Sequence, residues 1–177
     1  MTRVKLLDEL VNFTEAVTAT MRFPVRVQKA GESVTTKAPS VYRMRLPDST
    51  SATKKAPYIL HQVITGVDEQ REGQREESTC TIRSIFCVYC DDEQEGAMYL
   101  LNLMERMRIA LLRQRVLGRY FQLDLEEQIQ TLNYPEDTAP YYAGEMVTVW
   151  QMPTISQELN SYPEYEETIV IGGNTDE

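Results

Sequence analysis

The most regular hydrophobic pattern of the chain begins at Thr79, in the segment TCTIRSIFCVYC. Apolar residues alternate there with polar ones, which predicts a strand, because successive side chains of a strand point to opposite faces. The apolar face carries Cys80, Ile82, Phe86 and Val88. We expect this face to meet a helix, which makes the segment a central strand of the core.

A long helix is predicted directly after this strand, from about Glu95 to Leu117, because apolar residues recur at spacings of three and four. Its stripe consists of Leu100, Met104, Met107 and Leu111, with Leu103 and Ala110 beside it. Acids precede it and arginines end it, an arrangement that complements the helix dipole. These residues are Asp91, Asp92, Glu93 and Glu95, then Arg113, Arg115 and Arg119. Gly118 is predicted to take the left-handed position after the helix.

A second amphipathic helix is predicted near the N-terminus, over Arg3–Met21, with Pro24 ending it. Its apolar positions are Val4, Leu7, Leu10, Val11 and Val17. The alternating segment PVRVQ after it predicts a short strand.

Three further strands are predicted. Tyr58–Thr65 is apolar on both faces, which indicates burial on both faces, and the polar segment GVDEQREGQREES then forms a hairpin loop. In FQLDLEEQI, we expect Phe121, Leu123 and Leu125 to face inward. GEMVTVWQMP is the last strand, with Met146 and Trp150 on one face.

These elements predict an α+β domain over residues 1–153, with an antiparallel or mixed sheet of about four to five strands packed against the N-terminal helix and the long central helix. The polar, basic stretch at about 29–56 is interpreted as an extended arm, in which VYRMRL forms a short strand. Residues 154–177 form an acidic C-terminal extension, where TIVIGG adds an edge strand or docks on a neighbour.

The net charge of −9 argues against a protein that binds DNA regardless of sequence, since such proteins are normally basic. The average conceals an asymmetry. Eight basic residues and two acids lie from Arg22 to Pro57, whereas six acids and no Lys or Arg lie from Glu158 to the end. Two such segments either pair, within one subunit or between subunits, or stay solvated.

The sequence predicts no catalytic, cofactor-binding or metal-binding residues. Cys87 and Cys90 form a lone CxxC in a predicted strand, without the further ligands of a zinc site or the helix N-terminus of a redox motif. His61, the only histidine, lies inside an apolar strand, where a structural role is expected. A hydrolase using His61 with Asp91 and Asp92 is the enzymatic alternative, but adjacent acids before a helix are typical of capping.

The segment from Pro57 to Pro153 resembles the tail terminator (tail completion) proteins of tailed bacteriophages. The matching pattern is a Pro-Tyr strand, a strand ending in Val-Tyr, an acidic turn with a glycine, a helix with Asn-Leu-x-Glu-Arg, and a strand with Gly-Glu-Met, Trp and Pro. The corresponding segments here are PYILHQVITGVDE, TCTIRSIFCVYCDDEQEGAMYLLNLMERMRIALL, RVLGRYFQLDL and PYYAGEMVTVWQMP.

The resemblance implies a structural virion protein without enzymatic activity. Members of this family form a hexameric ring on the end of the tail tube, which stops tube polymerisation and provides the surface that joins the tail to the head. The implied partners are other copies of the chain, the tail tube protein and the head–tail connector or stopper protein. DNA passes through the ring without specific binding, and no membrane is involved. We therefore expect assembly in the host cytoplasm, with a final location in the neck region of the tail.

Two sets of residues are predicted to matter for this role. Arg43, Arg45, Lys54 and Lys55 of the basic arm are expected to contact a neighbouring subunit or the tube. Asp124, Glu126 and Glu127 are expected to face the channel, where negative charge prevents DNA from sticking. The alternative function is another head–tail connector component, a stopper or adaptor ring that contacts DNA, which predicts a basic channel instead.

Overall fold

Two helices and nine strands form in the part of the chain that the computed structural model describes, namely residues 2–26, 35–47, 55–70, 76–134 and 139–154. The helices are α1 (Arg3–Thr18) and α2 (Glu93–Gln114). The strands are β1 (Phe23–Pro24), β2 (Thr36–Lys37), β3 (Ser40–Arg43), β4 (Tyr58–Glu69), β5 (Glu77–Tyr89), β6 (Val116–Leu117), β7 (Phe121–Leu123), β8 (Gln130–Asn133) and β9 (Tyr141–Gln151).

Seven of these strands form one mixed sheet, in the order β3-β4-β5-β9-β7-β6, with β8 paired to β9. Strand β3 runs parallel to β4, and the other pairs of this sheet are antiparallel. The predicted α+β class is confirmed, and the sheet is larger than predicted. The additional strands β6 and β8 are short and lack an alternating apolar pattern, so only their pairing with longer strands defines them.

Both helices pack on one face of this sheet and enclose the main core. The predicted apolar face of β5 is confirmed, since its four side chains are fully buried there. The predicted stripe of α2 is likewise buried, together with Leu103. Met146 and Trp150 of β9 complete this layer. Asp92 caps α2, because its carboxylate accepts hydrogen bonds from the backbone N–H groups of Gln94 and Glu95, each at 3.0 Å.

The core face of α1 differs from the prediction. The helix ends at Thr18, not Met21, and Val4 is 66% exposed, whereas Leu6 is completely buried. Thr14 and Thr18 lie on the buried side with Leu6 and Leu10. Hydrogen bonds make the burial of these hydroxyl groups possible, since Thr18 Oγ1 donates to the carbonyl oxygen of Thr14 at 2.8 Å. Apolar spacing therefore identified Leu7 and Leu10 correctly, but it included the exposed Val4 and missed the buried threonines.

The predicted hairpin loop after Thr65 is in part a continuation of β4 and β5, and its residues 71–75 lie outside the described residues. The ladder runs on through Gly66 opposite Cys80 to Glu69 opposite Glu77, with one irregularity between Val63 and Thr65. An Arg3 guanidinium group from α1 holds this extension through Asp68, at 2.6 Å. Gly66 lies beneath that guanidinium group, where a side chain would collide with it. The polar sequence is thus a solvent-exposed two-stranded ribbon.

Two smaller predictions are wrong because the chain turns earlier than expected. Helix α2 ends at Gln114, and its C-cap is Arg115, which has a φ of 54° and donates its backbone N–H to the carbonyl oxygen of Leu111. Gly118 instead has its positive φ in the turn between β6 and β7. Strand β7 ends at Leu123, and Leu125 is 41% exposed rather than buried.

Candidate interaction surfaces

The helix-free face of the sheet is divided into two regions by a charged cluster at its middle. The Arg83 guanidinium donates to the Glu145 carboxylate at 2.5 Å and to the Tyr134 hydroxyl at 2.8 Å, and that hydroxyl donates to Glu145 at 2.6 Å. These bonds, first from Tyr134 and then from Arg83, hold the pKa of Glu145 below its usual value. On one side of this cluster lies a small apolar core, and on the other lies an acidic cleft. The small core contains Ala56, Tyr58, Leu60, Cys87 and Tyr89.

The structure brings Asp124, Glu126 and Glu127 together in this cleft, which has a volume of about 560 Å³. The backbone N–H of Asp124 donates to the carbonyl oxygen of Val149, which turns the chain across the end of β9. The Asp124 carboxylate accepts from the N–H of Glu126 at 3.0 Å and from the Gln151 amide at 3.2 Å. A channel-facing position of these acids stays a prediction.

Glu76 and Glu77 also line the acidic cleft, although the sequence assigned them to a loop. The pairing of Glu77 with Glu69 places them at the start of β5, beside the end of β9. No local pattern identifies them, because their position depends on strand pairing across the sheet. The cleft therefore collects five carboxylates from two separate segments of the chain.

Three of the four basic residues predicted to contact a neighbour lie around β3, at the edge of the sheet. Arg43 forms an ion pair with Asp8 of α1. Arg45 is exposed and takes part in no ion pair with any residue that the structure describes. Lys55 donates to the carbonyl oxygen of Pro47 and lies 5.9 Å from the centre of the Tyr42 ring. Lys54 lies outside the described residues.

Part of the predicted arm is therefore an ordered edge of the sheet. Residues 40–43 pair with β4, and the N–H of Met44 donates to the carbonyl oxygen of His61 at 2.7 Å. A groove of about 860 Å³ separates this edge from α1, and its walls are Lys5, Asp8 and Val11 on the helix and Val41, Arg43 and Arg45 on the other side. The rest of the predicted arm, 29–34 and 48–54, lies outside the described residues, as does the predicted edge strand TIVIGG.

His61 lies in the main core between α1 and β5, as a structural histidine would. Its ring nitrogens are 2.9 Å from Thr14 Oγ1 and 2.8 Å from Ser84 Oγ, so a neutral ring can donate at one nitrogen and accept at the other. Burial lowers the pKa of His61 to about 3. The imidazole is 1% exposed, and both of its hydrogen-bond partners are hydroxyl groups. The ring is therefore not hydrogen-bonded to Asp91 or Asp92, as the hydrolase alternative would require.

This burial predicts a loss of stability on mild acidification. In the unfolded chain His61 binds a proton below its ordinary pKa of 6.5, whereas the folded core excludes that proton, so stability falls as pH falls. Between pH 6.5 and about pH 5 the free energy of unfolding should decrease by about 1.5–2 kcal/mol from this group alone. Urea unfolding at several pH values measures the slope. His61→Gln should flatten it over this interval, and an unchanged slope in that variant would contradict the assignment.

The cysteines and the acids near α2 have structural surroundings. Burial raises the pKa of the Cys87 thiol to about 11, which opposes thiolate formation. Asp91 accepts a hydrogen bond from the Tyr89 hydroxyl at 2.6 Å, and this bond raises the pKa of Tyr89 to about 12. Within the described ranges, no group of three or more His, Cys, Asp and Glu residues is arranged to hold a metal ion.

The comparisons with known proteins leave the family open. No family model matches the chain, and no curated protein is significantly similar to it. Neither described helix is sufficiently long and apolar to cross a membrane.

Proposed function

We propose that this chain is a structural subunit of a ring that caps the tail tube of a bacteriophage, as a tail terminator does. One observation carries the proposal: a groove with excess basic charge lies at the β3 edge of the sheet, and an acidic cleft lies towards its β7 side. A closed cyclic ring needs contacts between unlike surfaces of neighbouring subunits, for which the basic groove is a candidate side, and a channel that does not bind DNA, for which the acidic cleft is the candidate lining.

The exposed apolar side chains support association with further protein. Met98, Leu101 and Ile109 lie on the side of α2 that faces away from the core, each at least 40% exposed. Ile64 and Val67 are about half exposed on the protruding ribbon of β4 and β5. A ring buries such residues against copies of the chain, the tail tube protein or the head–tail connector protein. In this role the chain performs no bond-making chemistry, and its location is the neck region of the virion.

Within the ring, the acidic cleft is a candidate lining for the channel through which DNA passes. The duplex carries a dense negative charge, and the five carboxylates of the cleft would repel it. Passage without binding needs such a surface.

The experiment that tests this function measures tube growth. Purified tail tube protein of the same phage is allowed to polymerise with and without the chain. We expect tubes of limited length that do not elongate when more tube protein is added, because their ends are capped. Continued elongation at an excess of the chain would reject the proposal. A matched control uses the same amount of heat-denatured chain.

A DNA-contacting stopper or adaptor ring is the second candidate, and one observation favours it. Arg113, Arg115 and Arg119 are all exposed and lie within one short stretch at the end of α2, next to the exposed Tyr120. Such a surface suits a DNA backbone. Binding of duplex DNA that weakens steeply with salt, because of counterion release, would support this candidate over a terminator.

A further inference from the structure

The groove between α1 and β3 has the features of a site for an extended peptide. Strand β3 pairs with β4 on one side only in the described sheet, so its other backbone edge borders the groove. An edge of this kind can accept another strand through main-chain hydrogen bonds. Val11, Val41 and Leu46 supply apolar lining.

The charges around the groove favour an acidic occupant. Lys5, Arg43 and Arg45 outnumber the one carboxylate of the lining, Asp8. The Arg43–Asp8 pair is solvent-exposed, with 62% of the Arg43 side chain accessible, so an incoming carboxylate can share this guanidinium at little cost. Arg45 offers a second exposed guanidinium group.

The C-terminal segment 155–177 has the matching chemistry. It contains six acids and neither Lys nor Arg. Glu164, Glu166 and Glu167 directly precede Thr168–Ile171, a run of β-branched residues typical of strands. The segment therefore combines carboxylates for the arginines with apolar side chains for the groove lining.

We propose that this segment of one subunit docks in the α1–β3 groove of the neighbouring subunit and links the ring; this inference rests on the proposed function. Thr154, the residue before the segment, lines the acidic cleft, whose carboxylates repel the acids that follow. From Thr154 to Thr168 the chain can extend to about 45 Å, which is enough to leave its own subunit.

A charge exchange between full-length variants tests the docking. The C-terminal variant carries Glu164→Lys, Glu166→Lys and Glu167→Lys. The groove variant carries Arg43→Glu and Arg45→Glu. In each variant alone like charges meet, so we expect loss of at least about nine-tenths of the capped tube ends. In an equimolar mixture each segment finds a complementary groove on its neighbour. We expect rings to return, with equal numbers of the two variants by native mass spectrometry.

Two results would overturn the docking while leaving the ring intact: normal capping by either variant alone, or a mixture that stays inactive although the wild-type chain caps tubes. Arg22→Glu with Arg106→Glu makes the same charge change at the C-terminal end of α1, outside the groove lining, and it should cap normally.

A binding measurement tests the groove even if the proposed function fails. A fluorescent peptide of residues 155–177 should bind the full-length C-terminal variant with one peptide per subunit. It should bind at least about tenfold more weakly to a chain that carries both the C-terminal and the groove substitutions. Equal affinity of the peptide for these two chains, or no binding to the C-terminal variant, would contradict the proposal. If the wild-type chain fails to cap tubes but the peptide binds as expected, the proposed ring function is rejected, whereas docking of the segment in the groove is supported.

Discussion

Tails of uncontrolled length are the expected result when Arg43→Glu and Arg45→Glu are introduced together into the phage that encodes this chain. The substitutions reverse the charge at the β3 edge, where the proposed ring contact lies. The monomer should remain folded, because the exposed Arg43–Asp8 ion pair contributes no more than about 1 kcal/mol. Electron micrographs of tails provide the length distribution, and thermal unfolding of the purified variant verifies the fold.

A second pair of exposed arginines, outside the groove lining, provides the control for this prediction. Arg22→Glu with Arg106→Glu changes the net charge equally at the C-terminal end of α1 and should leave tail length normal. Tails of normal length in the Arg43 and Arg45 variant would remove the β3 edge from the assembly role, although the rest of the fold would be unaffected.

A loss of about 3–5 kcal/mol in the free energy of unfolding is expected for Trp150→Ala. The Trp150 ring is fully buried between the sheet and the helices, and its Nε1 donates to Thr148 Oγ1 at 3.0 Å. The substitution leaves a large cavity in the main core and removes one of the two hydrogen bonds of the buried Thr148 hydroxyl group. Since domains of this size are stable by only about 5–15 kcal/mol, much of the stability is removed.

The measurement is the melting temperature, which should fall by about 6–20 °C. Tyr120→Ala removes an aromatic side chain that is 54% exposed and should change stability by no more than about 0.5 kcal/mol. A Trp150→Ala variant that melts within about 2 °C of the wild type would show that this layer of the core is packed differently.

Strand β5 and helix α2 could be predicted from the sequence because their patterns are local. Alternation over Cys80–Val88 and spacings of three and four over Leu100–Leu111 each specify one buried face without knowledge of the partner. The same reasoning was only partly correct for α1, where Leu7 and Leu10 are buried as predicted but Val4 is exposed and Thr14 is buried. Thr14 can lie in the core because its hydroxyl group forms a hydrogen bond with the His61 ring, which is distant in sequence.

The remaining differences come from pairing between distant segments. Strand β4 continues beyond Thr65 because Asp68 pairs with Ser78 of β5 and contacts Arg3. No pattern within this polar segment indicates that it is a strand. Leu125 continues an alternating pattern, yet the chain turns at Asp124 to meet the end of β9. Side-chain pattern predicts faces, but it does not determine where a strand ends.

The candidate surfaces were predicted in part for the same reasons. The outward positions of Asp124 and Glu126 follow from alternation. The location of Glu76 and Glu77 in the same cleft does not, because it depends on strand pairing. Arg43 and Arg45 were recognised as an accumulation of basic charge. Their position opposite α1 becomes visible only through the parallel pairing of β3 with β4.

Negative-stain imaging of tail tubes mixed with the purified chain tests the central claim most directly. Class averages of the tube ends should show a ring with sixfold symmetry and a central hole, on one end of each tube only. Tube ends that remain bare at saturating concentration, with the chain present only as separate compact particles, would contradict the account.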